Sequence, residues 1–251
     1  MTRTEPRRVT WFAAGLASIP GDDAWMDEFE RTRIGSMRYA KRRSESLLSR
    51  HTAKTTLARS VGLEPGPDSL RRVTIRNAPD GAPEAYVDGA DAGVVISMTD
   101  RADWAVCAVL HGSVRVGCDL ELVERRSPAF IADYFTPAEQ RTAMDREGEE
   151  RAELANLIWS AKESALKVLR TGLRRDTRSV EVRLEERNGE GWQGLSVRSG
   201  SDHFPGWWIR YGEFLLTCVA AQEIAEPASL VDPPPLAEAV PSHGWMQHPG
   251  R

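Results

Sequence analysis

The chain has 251 residues, 41% hydrophobic and 28% charged, which suits one large domain or two of about 120 residues each, with a real core. Lys and Arg number 33 against 37 Asp and Glu, and the resulting net charge of −4 disfavours a protein that grips a nucleic-acid backbone. Cys107, Cys118 and Cys218 are an odd number in apolar stretches with no CxxC, so they read as buried free thiols of a reducing cytosol. No apolar segment follows Met1 to Arg8, and the best apolar runs, Trp11 to Ile19 and Phe214 to Ala221, are far short of a membrane span.

In chain order, residues 27–60 carry nine basic side chains against four acids, with Leu47, Leu48, Leu57 and Val61 at roughly helical spacing. This basic helical region is either a solvated face covering a core or a phosphate site. Turn-rich stretches at Glu64 to Asp68 and Asp80 to Pro83 precede β-type runs at Val73 to Arg76, Val94 to Ile96, Trp104 to Leu110 and Val114 to Leu122, the last three grouped as in an antiparallel meander. Ser127-Pro128 opens a helix, and a longer one spans about Glu149 to Leu169, with Leu154, Leu157, Ile158, Ala161, Ala165, Leu166 and Leu169 as its core stripe and Gly172 as its stop. Strand signals return at Val180 to Leu184, Leu195 to Arg198, Trp207 to Tyr211 and Phe214 to Ala221. The order suggests two α+β halves joined near Gly112. Residues 227–251, with six prolines, read as an extended or loosely packed tail that Trp245 and Met246 could dock.

Signatures of P-loop nucleotide binding, zinc hydrolysis and serine hydrolysis are absent, which leaves carboxylates. Asp119 and Glu121 lie two apart in the run Val116 to Leu122, so both project from one face of a strand while Cys118, Leu120 and Leu122 face the other way. Such a pair is either a solvated sheet face or two hard oxygen ligands for Mg²⁺. Trp159, Glu163 and Lys167 are four apart on one helix face beside the apolar stripe; Glu163 and Lys167 are either a simple ion pair or a third acid with a cation.

Taken together, Gly117-Cys118-Asp119-Leu120-Glu121 and, about 40 residues later, Trp159-Ser160-Ala161-Lys162-Glu163-Ser164-Ala165-Leu166-Lys167 resemble the paired signature of the 4′-phosphopantetheinyl transferases. Tyr134-Phe135-Thr136-Pro137-Ala138-Glu139 and the stretch from Trp104 back to Ser97 fall in register with the same family. At this length the chain looks like the Sfp type. The resemblance implies an α+β pseudodimer of two similar halves, each an antiparallel sheet packed with a long helix, with the active site in the cleft between them. Residues 1–112 would then form the coenzyme A 3′-phosphate and adenine side, 113–226 the metal and carrier side, and 227–251 a Pro-rich tail.

The implied reaction is transfer of the 4′-phosphopantetheine arm of coenzyme A to a serine of an apo acyl or peptidyl carrier protein, releasing 3′,5′-ADP. Mg²⁺, with Mn²⁺ a possible substitute, would be held by Asp119, Glu121 and Glu163. Asp119, Glu163 and Lys167 are the implied catalytic residues, Glu163 as base and Lys167 on the phosphates. Arg38, Arg50, Pro83, Ser97, Lys162 and Lys167 are the implied coenzyme-binding residues. Ala82 and Met98 stand where the family usually has a lysine and a histidine, and arginines from Arg38 to Arg50 are expected to compensate. The carrier is expected to dock between Val123 and Glu150, with Arg125 and Arg126 meeting its acidic helix and Phe130 and Phe135 giving apolar contact. A cytoplasmic monomer that engages neither nucleic acid nor membrane is expected. The alternatives are a non-catalytic coenzyme A or carrier-binding module with the same fold and another Mg²⁺-dependent pyrophosphate-cleaving enzyme.

Overall fold

The computed structural model describes residues 6–187 and 189–242. Strand β1 (Arg7–Gly15) is followed by helices α1 (Glu28–Gly35), α2 (Ala40–Ser60) and α3 (Pro67–Arg72), then β2 (Val73–Asn77), β3 (Pro83–Val87), β4 (Ala90–Asp91), β5 (Val94–Arg101), β6 (Trp104–His111) and β7 (Val116–Leu122). Next come α4 (Pro128–Tyr134), α5 (Pro137–Met144), the long α6 (Gly148–Val168), and strands β8 (Glu181–Leu184), β9 (Gln193–Ser199), β10 (Asp202–Tyr211), β11 (Phe214–Ala220) and β12 (Ile224–Ser229). The architecture is α+β, as expected.

Two larger sheets run β12-β1-β6-β5 and β7-β11-β10-β9-β8, and a small one joins β2, β3 and β4. Helix α2 packs on β6 and β1, and α6 packs on β7 and β11. Three apolar clusters result: one under α2, one under α6, and one between the two larger sheets, where Trp11, Leu110, Cys118, Leu120, Phe214 and Leu216 meet. Strands β6 and β11 are therefore covered on both faces, which accounts for their nearly unbroken apolar sequences. All three cysteines are buried free thiols, as expected.

Three sequence readings change. Strand β7 leaves the expected meander and pairs with β11 in the other sheet, while β5 and β7 are joined by side chains: the Cys118 and Leu120 amides donate to Ser97 Oγ (2.9 Å) and Thr99 Oγ1 (3.2 Å). Strand β1 was visible only as an apolar run. The described part of the tail, residues 227–242, is also not loose: β12 pairs in parallel with β1, making the first sheet mixed, and Leu236 is fully buried against the body. Trp245 and Met246 lie outside the described residues.

The two long helices share one device. Asp27 and Thr136 cap α1 and α5 in capping boxes whose third residues are Glu30 and Glu139. Each of these glutamates is ion-paired with a fully buried lysine of the next long helix: Glu30 with Lys54 of α2, and Glu139 with Lys162 of α6. An aromatic ring lies beside each ammonium, Trp25 for Lys54 and Phe135 for Lys162.

Helix α6 approaches β7 so closely that a Cβ on Gly117 would lie 2.0 Å from the Ser164 carbonyl oxygen. Only glycine fits, because backbone atoms cannot rotate away as a side chain can. Gly117→Ala should lower the free energy of unfolding by about 3 kcal/mol, read as a reduced urea midpoint at unchanged slope.

Candidate active site

The period of two along β7 sends Cys118, Leu120 and Leu122 into the apolar layer between the sheets and leaves Gly117, Asp119 and Glu121 toward α6. Helix α6 is held on this face by buried hydroxyls. Ser160 Oγ donates to the Asp119 carbonyl (3.1 Å), and Ser160 and Ser164 both share a hydrogen bond with Thr217 Oγ1 (2.9 and 2.8 Å). Thr217 stands opposite Asp119 in the β7–β11 ladder. One turn separates Trp159, Glu163 and Lys167 along the helix face, so Glu163 and Lys167 meet the carboxylates of β7.

Lys167 Nζ donates to Asp119 Oδ1 (2.9 Å) and to the Cys118 carbonyl (2.8 Å), and Thr99 Oγ1 donates to the same Asp119 oxygen (3.1 Å). Asp119 Oδ2 is buried with no hydrogen-bond partner. Glu121 Oε2 lies 3.2 Å from Arg101 Nε and 3.1 Å from an Arg126 nitrogen, and both guanidiniums also reach Glu124. Burial, reinforced by repulsion from Asp119, raises the carboxyls of both Glu121 and Glu163 to about 7. Burial works against the Lys167 ammonium, yet Asp119, Cys118 and Glu163 outweigh it and hold its pKa above the ordinary lysine value.

This corner holds three mutually repelling carboxyl groups, and Asp119 Oδ2 and Glu121 Oε2 are both buried without a hydrogen-bond partner, a donor set whose chemistry fits a hard divalent cation. Among the described residues, however, no three Asp, Glu, His or Cys side chains are arranged to hold a metal ion. Asp119 is drawn to Lys167 and Glu121 to Arg101 and Arg126.

Beside this corner opens a cavity of about 690 Å³, walled on one side by α2 and the β2–β3 turn and on the other by the end of α6 and the segment after it. Arg50, Pro83, Ser97 and Lys167, all singled out from the sequence, line it, as do Ala82 and Met98. Arg50 is buried, donating to the Ile75 carbonyl and to Asn77 Oδ1 (3.3 Å). Burial and the nearby Arg33, partly offset by Glu30, lower its pKa. Ser97 uses its hydroxyl as acceptor for the Cys118 amide.

Arg38 is not among the lining residues; it is exposed and lies over the Tyr39 ring. Lys162 is also elsewhere. Its ammonium is fully buried against Glu139 (2.8 Å) and donates to the Thr177 and Val180 carbonyls (2.9 and 2.5 Å). Phe135 is core, and Arg126 is occupied by Glu121, Glu124, Asn156 (2.6 Å) and the Phe130 ring, so of the expected carrier-docking arginines only Arg125 is exposed. Arg33 lies in the basic helical region already weighed as a phosphate site, whereas the sequence reading missed the cavity arginines Arg115, Arg170 and Arg174. For the last two a signal existed, since both are basic and flank the helix-stopping Gly172.

Comparison with known proteins bears on the corner directly. Residues 115–205 match the model of the 4′-phosphopantetheinyl transferase superfamily, a stretch that includes β7 and all of α6. The matched stretch is the one that carries both paired motifs. Among solved structures, the chain is similar to a holo-[acyl-carrier-protein] synthase from Thermotoga maritima (23% identity, TM-score 0.34, covering 43% of this chain and 63% of that one). It is also similar to a holo-(acyl-carrier-protein) synthase from Bacillus anthracis in complex with CoA (3′,5′-ADP) (19% identity, TM-score 0.35, covering 44% of this chain and 100% of that one). The chain thus spans less than two thirds of the first of these. Comparison with curated proteins gives no match.

Lys162→Met strands the buried Glu139 and should lower the free energy of unfolding by about 3–5 kcal/mol, read by chemical denaturation.

Proposed function

We propose that the protein is an Sfp-type phosphopantetheinyl transferase that moves the 4′-phosphopantetheine arm of coenzyme A to a serine hydroxyl of an apo acyl or peptidyl carrier protein and releases 3′,5′-ADP. The observation that carries this reading is the position of Lys167, which faces the Asp119, Glu121 and Glu163 corner while lining an arginine-walled cavity. A polyanionic nucleotide suits the cavity, and its pyrophosphate would end at the carboxylates. The pseudodimer reading is supported by the repeated helix device, in which Glu30–Lys54 and Glu139–Lys162 occupy equivalent places on α2 and α6.

Within this reading, Arg50 and Lys167 bind and orient the coenzyme phosphates. Asp119 keeps the Lys167 ammonium charged and aimed. Glu163 accepts the carrier serine proton at a carboxylate oxygen as the hydroxyl attacks the phosphorus next to the pantetheine arm, and 3′,5′-ADP leaves as an anion steadied by the arginines. Asp119, Glu121 and Glu163 are the residues that would hold Mg²⁺ or Mn²⁺, which when bound supplies charge neutralisation for the pyrophosphate. The carrier docks beside Glu163, where Phe130, Tyr134 and Trp159 stack with centroids 4.8 to 5.1 Å apart and Arg125 stands exposed. No helix among the described residues is long and apolar enough to cross a membrane.

Incubation of apo carrier proteins with coenzyme A and Mg²⁺ should add one phosphopantetheine arm by intact mass, and Asp119→Ala and Glu163→Ala should each reduce the rate at least about 100-fold. Coenzyme A binding without any mass gain across a carrier panel would favour the non-catalytic binding module. Arg125→Glu should raise the KM for an acidic carrier about threefold to tenfold and leave coenzyme A affinity unchanged, measured by steady-state kinetics and calorimetry.

A further inference from the structure

Arg170 leaves the end of α6 with φ at 59°, a left-handed conformation that L side chains adopt at a steric cost, and Gly172 follows at 52°. This turn carries Arg170 and Arg174 back to the cavity wall, where both reach one residue of the opposite wall. Arg170 lies 3.3 Å from Asp80 Oδ2, and Arg174 donates to the Asp80 carbonyl at 3.3 Å. Asp80 is fixed in the β2–β3 turn by accepting the Ala82 amide at Oδ1 (3.0 Å). It is the single carboxylate lining the cavity among the described residues, against five arginines and Lys167. The Arg170–Asp80 contact is long for a charge-assisted bond and is about one third exposed on each side, so it is a weak clasp that an anion of higher charge can displace.

We propose that Asp80 is a resident counter-ion and that Arg170 and Arg174 are ligands for a terminal phosphate monoester of the nucleotide, which takes the place of Asp80 on binding. The inference rests on the coenzyme A reading of the cavity. Lys167 faces Asp119 at the reacting end, and Arg170 and Arg174 come later along the same wall, where the 3′-phosphate rather than the pyrophosphate would lie. They supply the charge missing at Ala82 and Met98, from the wall opposite the one where the sequence places it.

The test is calorimetric titration of the full chain with coenzyme A and with 3′-dephospho-coenzyme A, using wild type, Arg170→Gly, Arg174→Ala and Asp80→Asn. Glycine accepts the left-handed backbone, so Arg170→Gly should fold with an undiminished Tm. Both arginine variants should weaken coenzyme A binding about tenfold and 3′-dephospho-coenzyme A binding less than about threefold. Asp80→Asn keeps the turn acceptor and should tighten coenzyme A binding about threefold. Unchanged coenzyme A affinity in the arginine variants, or equal losses for both nucleotides, overturns the phosphate assignment, and weaker binding by Asp80→Asn overturns the counter-ion role. If wild type modifies a carrier while the variants bind like wild type, this inference falls alone. If wild type binds neither nucleotide, the coenzyme A reading falls with it.

Discussion

The contact between α6 and β7 at Gly117 is the constraint from which the site follows. A Cβ at residue 117 would push α6, and Lys167 with it, away from the strand. Here the missing Cβ lets the Ser164 carbonyl sit against β7, and Lys167 can then bond both the Cys118 carbonyl and the Asp119 carboxylate. The hydroxyls of Ser160, Ser164 and Thr217 fill the same seam. They satisfy one another in a place where a larger apolar side chain would push the helix off the strand.

Charge in this protein is sorted into two kinds of environment. The Glu30–Lys54 and Glu139–Lys162 pairs are dry and fully engaged, and each ties a short capped helix to a long one. Buried pairs of this kind add little net stability relative to apolar residues, but they penalise any packing that separates the partners. They therefore set the register of α1 on α2 and of α5 on α6. The Asp119 corner is the reverse case, with a surplus of acid, two oxygens left without a hydrogen-bond partner, and carboxyls raised by burial. An unbalanced set held this firmly is poised for a cationic visitor.

The acidic pair on β7 and the acid and lysine on α6 were legible in the chain because each obeys one local period, two for the strand and about 3.6 for the helix. Their approach to one another was legible only through the family resemblance, since no local rule links residues more than 40 positions apart. Strand β1 escaped because Phe12 and Ala14 are apolar on the face opposite Val9, Trp11 and Ala13, so the alternation of burial along Arg7–Gly15 is not matched by an alternation of residue type. Strand β12 contains Pro227 and is a strand because β1 offers it an edge. Lys162 was misplaced because a motif fixes a residue's place in the chain and not the side of the helix on which its charge is needed. Arg101 and Arg126 were invisible as partners of Glu121 for the related reason that ion pairing depends on tertiary packing.

The parallel pairing of β1 with β12 joins the beginning of the folded body to its last strand across more than 200 residues. During synthesis the first sheet must wait, with one flank of β1 open, until the final strand emerges, while the α6 unit can already condense behind it. The α2 side of the cavity, with Arg50, packs on that late-closing sheet, whereas Arg170 and Arg174 come from the segment after α6. A chain that lacks β12 would thus leave one wall of the cavity on an incomplete support while the other is already in place.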